Sequence, residues 1–107
     1  FRSAGAKYEQ AQAELESGGE LLALEMTQAT NNLDEALLER RLADTSMEAA
    51  EENLRMSRRQ YEAGLETLSD YLEAQAVWQQ ASRTQVEARI GSYLRWLEYR
   101  KAAGLLD

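Results

Sequence analysis

The sequence predicts an all-α fold, a long antiparallel coiled-coil hairpin, on three observations. There is no Pro among the 107 residues, and the commonest types are Ala, Leu and Glu, the side chains that lose least on entering a helix. From Leu22 onward, apolar residues recur at alternating steps of four and three, the period of a coiled-coil seam. That period is interrupted once, at Gly64, and resumes after Thr67. One domain spans 1–107, and its core is thin, because much of the apolar content is Ala, which buries little area per residue.

Residues 1–19 read as a helical lead-in, with Ala4, Ala6, Tyr8, Ala11, Ala13 and Leu15 as its apolar positions. At its end stands Ser17-Gly18-Gly19-Glu20. Ser followed three residues later by Glu is a capping-box pattern that starts a new helix. The paired glycines equally fit a weak spot inside one long helix, at about 1 kcal/mol each relative to Ala. Both readings stand at this point.

The outgoing helix is placed at 20–63. Its seam runs Leu22, Met26, Ala29, Leu33, Ala36, Arg40, Ala43, Met47, Ala50, Leu54, Ser57 and Tyr61, in which only Arg40 and Ser57 are neither apolar nor aromatic. The tip turn is placed at 64–67. Gly64 is suited to the left-handed residue that ends a helix, and Thr67 with Asp70 three residues on is a second capping-box pattern. The return helix is placed at 68–103, with Gly104 as its stop. Gly91, inside it, suggests a close helix crossing or a slight bend.

Each helix carries more than one stripe. The outgoing helix has Leu38, Leu42, Ala49 and Met56 beside its seam. The return helix has one row through Tyr71, Ala74, Trp78, Ala81 and Ala88. A second row passes through Leu65, Leu68, Leu72, Val86 and Tyr93, interrupted by Gln75, Gln79, Ser82 and Arg89. One partner helix needs one seam, so a helix with two stripes has neighbours on two sides. The hairpin therefore either dimerises into a four-helix bundle or forms one stave of a larger ring of helices.

Several function classes are excluded on composition. With 12 basic and 19 acidic residues, a net charge of -7, and a pI near 4.7, the chain lacks the basic excess that nucleic acid requires. With neither Cys nor His, thiol catalysis, zinc sites and histidine general-base chemistry have no residues to use. Carboxylates are abundant, but no nucleophile with a base and no metal constellation accompany them. No catalytic residue, metal or cofactor is expected. No stretch reaches the roughly 20 apolar residues of a membrane-spanning helix, and no alternating segments suggest transmembrane strands. The chain opens at Phe1 with no basic segment ahead of an apolar run; no signal peptide is read, and an excised or processed piece of a longer protein is expected.

One ordered string is specific. Ala50-Glu51-Glu52-Asn53-Leu54 is followed by Tyr61, Gly64, Leu65, Thr67, Leu68, Asp70, Leu72 and Ala74-Gln75, then by Ala81, Ala88, Tyr93, Leu97 and Ala103-Gly104. Over about residues 20–105 this resembles the second helical hairpin of TolC-like outer-membrane efflux proteins. The resemblance implies a trimer whose outer-membrane β-barrel continues into a periplasmic α-helical barrel, each protomer giving two repeats of two strands and a hairpin. It implies that this chain is the periplasmic hairpin of the C-terminal repeat in a Gram-negative outer-membrane protein. The function it implies is the wall of an exit duct in a tripartite efflux pump or type I secretion system, joined to a periplasmic adaptor and an inner-membrane pump.

The resemblance also implies roles for named residues. Gly64, Leu65, Glu66 and Thr67 match the tip turn where the adaptor docks, although helix termination and capping account for Gly64 and Thr67 by themselves. Family members often carry a basic residue where this chain has Glu66. Asp70 and Glu73 match acidic residues that ring the periplasmic aperture, where three copies favour cations; capping and the helix dipole also explain Asp70, and solvation explains Glu73. Tyr61 matches a tyrosine that holds the aperture closed through a neighbouring hairpin, and it is equally the last seam residue. Trp78, Trp96, Tyr93 and Tyr99 read as packing residues or surface anchors. Arg55, Arg58 and Arg59 are expected to pair with Glu51, Glu52 and Glu62 along the helix.

Two rival readings remain from the residues alone. One is a self-associating structural hairpin with no transport role, a dimer as an isolated fragment. The other is the hairpin of an adaptor protein, disfavoured because the Arg, Leu and Ser tip and the β-rich flanks of that family are absent.

Overall fold

The computed structural model describes residues 2–106, with side-chain environments over 5–104. It contains two helices, α1 (Arg2–Glu62) and α2 (Leu68–Leu106), and no strand among the described residues. They lie antiparallel in a body 93 Å long, 21 Å wide and 13 Å thick. A rise of 1.5 Å over α1's 61 residues gives about 92 Å, so the long axis of the molecule is a single unbroken helix.

The seam packs as its period requires. Ala29, Ala36, Ala43, Met47, Ala50 and Ser57 are buried in α1, and Ala74 and Ser92 in α2. Leu22, Met26, Leu33 and Leu54 are half-buried at the intervening positions. Arg40 is exposed within the same series. Alanine at every seventh residue lets the helices approach closely, and it also leaves the core small: among the described residues no large side chain is fully buried.

Of the two readings at the paired glycines the structure takes the unbroken helix, and the stop expected at Gly104 is not there. α1 passes through Ser17-Gly18-Gly19-Glu20 without a break. A break there would orphan the backbone groups of two helix ends, whereas continuing adds one hydrogen bond per residue; no neighbour requires a change of direction. Likewise α2 runs past Gly104 to Leu106. Among the described residues only Gly64 has a positive φ, +75°, so Gly104 stays in the helical conformation. Gly91 marks no close crossing, since a Cβ there would meet nothing within 4 Å.

α1 outlasts its partner. Residues 5–21 are exposed on every side, and the seam face that carries Tyr8 and Leu15 is exposed with them. Contact with α2 begins near Glu25, Gln28 and Ala29, which line a groove with Glu98, Lys101 and Ala102.

Candidate functional site

The tip is built by two helix ends meeting over five residues. Leu65 N–H donates to Gln60 O at 2.8 Å and Gly64 N–H to Tyr61 O at 3.0 Å. These paired bonds, six-to-one and five-to-two, need a left-handed residue between them, which Gly64 supplies. On the other side, the Asp70 N–H donates to Thr67 Oγ1 at 3.1 Å, so Thr67 is the N-cap of α2. The Asp70 carboxylate lies in the first turn of α2, where the helix dipole favours negative charge.

Between these fixed ends the side chains diverge. Leu65 is 81% exposed. Glu66 is half-buried, the single glutamate among the described residues that is not exposed, and its carboxylate accepts a hydrogen bond from the Ser57 hydroxyl. Tyr61 stacks on Tyr71 of its own hairpin. Asp70 and Glu73 are both exposed, three residues apart on α2. The structure thus brings Tyr61 and Glu66 into contacts within the hairpin and leaves Leu65, Asp70 and Glu73 facing water.

Arg58 takes a partner that the sequence reading missed. Its guanidinium lies beside the Tyr71 hydroxyl; this contact and the Gln75 amide stabilise the phenolate and hold Tyr71 below the ordinary tyrosine range. Spacing along one helix could suggest only glutamates for Arg58, because Tyr71 comes near it solely when the hairpin closes. Arg55 does pair with Glu52 within the helix.

The outer surfaces carry the second stripes. Leu42 and Met56 are 59% and 51% exposed on α1; Leu72, Val86 and Tyr93 are 51–58% exposed on α2. Leu42, Ala49 and Met56 each precede a buried seam residue by one, whereas Leu72 and Tyr93 follow Tyr71 and Ser92 by one. In an antiparallel pair these offsets fall on opposite flanks of the hairpin. Leu42, Ser46 and Thr84 line a groove on the first flank; Leu37, Tyr93 and Trp96 line one on the second. Trp96 stacks against Tyr93 at 6.0 Å, with the Arg100 guanidinium 5.0 Å from its ring centre.

A polar bridge crosses the seam on that second flank. Gln85 Nε2 donates to Asp44 Oδ1 at 2.8 Å, and Arg89 reaches the same oxygen at 3.4 Å. The Gln85 amide first, and the Arg89 and Arg40 charges after it, hold Asp44 below the ordinary carboxylate value against a smaller opposing effect of desolvation. Among the described residues no cluster of carboxylates is arranged to hold a metal ion, and no helix is long and apolar enough to cross a membrane.

The architecture is thus a straight antiparallel two-helix hairpin with a built tip and two apolar flanks, and comparison with known proteins gives its family. The outer membrane efflux protein family matches residues 1–104, and the chain belongs to that family. It is 31% identical over all 107 residues to the proteases secretion protein PrtF of Dickeya chrysanthemi. The chain spans 23% of that relative's length. No solved structure matches it significantly.

Proposed function

We propose that this hairpin is part of the duct wall of an outer-membrane efflux or secretion channel, lies in the periplasm, and docks an adaptor at its tip. The observation that carries the reading is the pair of exposed apolar stripes on opposite flanks. Two different faces make a head-to-tail contact, which closes into a ring when the rotation per subunit allows. A self-complementary dimer needs only one such face. Burying both stripes also supplies the apolar area that an alanine-rich seam lacks.

In such a ring the tips gather at one end. Leu65 is the apolar knob offered to the adaptor, with Gly64 and Thr67 shaping the turn and Glu66 beside them. Tyr61 lies under the turn at the aperture, and Asp70 and Glu73 bring negative charge to the constriction, where three copies favour cations. The family membership and the resemblance to PrtF favour a secretion partner set of adaptor and inner-membrane pump over a structural coiled coil without transport. No catalytic step is assigned, since the family is one of transport proteins.

Ion selectivity tests the aperture. With Asp70→Asn and Glu73→Gln together in the whole channel, the cation preference measured across a planar bilayer is expected to fall severalfold while the protein still assembles. An unchanged preference removes Asp70 and Glu73 from the constriction, and a whole protein that never conducts removes the duct.

A further inference from the structure

Along α1 the buried column Ala29, Ala36, Ala43 and Ala50 advances by sevens, and its next member is Ser57, 4% exposed. A hydroxyl replaces the expected methyl one turn before Tyr61, the residue that stacks on Tyr71 of α2 just behind the turn. A buried hydroxyl requires a partner, and the partner it has is Glu66, nine residues on, across the turn. A turn glutamate has free access to water, yet this one folds inward. Its neighbour Leu65, by contrast, is 81% exposed.

We propose that Ser57 and Glu66 form a latch that draws the tip turn over the end of the seam and thereby sets Leu65 outward for docking. They are positioning residues, and their purpose rests on the docking reading given above; the latch itself rests on the contact and the burial. The paired bonds at Gly64 and Leu65 and the Thr67 cap shape the two ends of the turn. The latch holds the first of those ends against α1 and orients Leu65 and Glu66 beyond Gly64.

Hydrogen exchange in the 107-residue chain tests it. Ser57→Ala installs the residue that the column carries at four other positions, so the helicity and melting of the chain are expected to hold. The Gly64 and Leu65 amides are expected to exchange about tenfold faster, the scale of one lost hydrogen bond. Glu66→Ala has the same effect, Glu66→Gln keeps an acceptor oxygen and most of the protection, and Ser57→Ala with Glu66→Ala is no faster than either alone. Unchanged exchange in the single variants, or effects that multiply in the double, overturn the latch. If Ser57→Ala unfolds the chain, Glu66→Ala, on the turn, decides. Docking is read separately: Leu65→Cys in the whole channel is tested for cross-linking to a periplasmic adaptor with one cysteine at its own hairpin tip. Failure there with the exchange result intact removes the docking reading and leaves the latch.

Discussion

Tyr61 of α1 and Tyr71 of α2 stack with ring centroids 5.3 Å apart and planes inclined by 6°. The pair bridges the two helices just behind the turn, where the seam has run out of alanines. An aromatic pair of this kind contributes about 0.5–1.5 kcal/mol beyond its buried area. Tyr71→Leu keeps an apolar side chain and removes the ring, so a loss of about 1 kcal/mol is expected in chemical denaturation.

The Arg58 guanidinium gives the same tyrosine a titration signature. Tyr71 ionises below the ordinary value of 10.0 because Arg58 stabilises its phenolate. A folded-state value below the unfolded one means that this contribution to stability grows as pH rises through the folded value toward 10. Arg58→Gln is expected to move the Tyr71 transition upward in an absorbance titration at 295 nm, read as a difference from Tyr71→Phe. A transition that stays in place removes Arg58 as its cause.

Glycines in the two settings respond with opposite sign. At Gly64 a Cβ meets nothing, but the backbone sits at φ +75°, so Gly64→Ala is expected to cost about 1–2 kcal/mol through conformation alone. Gly18 and Gly19 lie inside α1 with open space around them. Alanine at either is expected to raise stability by roughly 0.5–1 kcal/mol. Melting curves of the three single variants check both signs.

Asp44 sets an acid limit on the hairpin. Its carboxyl is held below the ordinary 3.8, so its contribution is present above that value and fades as pH falls through the folded one. In the window that opens as pH falls through 3.8, the melting temperature of the parent chain is expected to drop more steeply than that of Asp44→Asn. Above that window the two curves run parallel.

Much of this was legible residue by residue. The seam from Leu22 to Tyr61, the stop at Gly64 and the Thr67 cap depend on spacing and local backbone chemistry, signals that each act between residues a few positions apart. The second stripes were visible for the same reason, and their exposure on the hairpin follows from the first stripe's burial. The paired glycines at 18 and 19 were ambiguous because local signals for a cap and for a tolerated defect are the same; continuity of the backbone hydrogen bonds decided between them.

The all-helical state, the place of the turn and the faces that bury therefore follow from local residue chemistry. Propensity, heptad period and capping act over one or two turns of helix, so they survive without any knowledge of the partner helix. That Ser57 holds Glu66, that Arg58 meets Tyr71 as well as the charge of Glu62, and that Asp44 meets Gln85 and Arg89 emerges only when the hairpin closes. Those contacts span nine to 45 residues of chain, and their partners meet only once the chain has turned back at the tip.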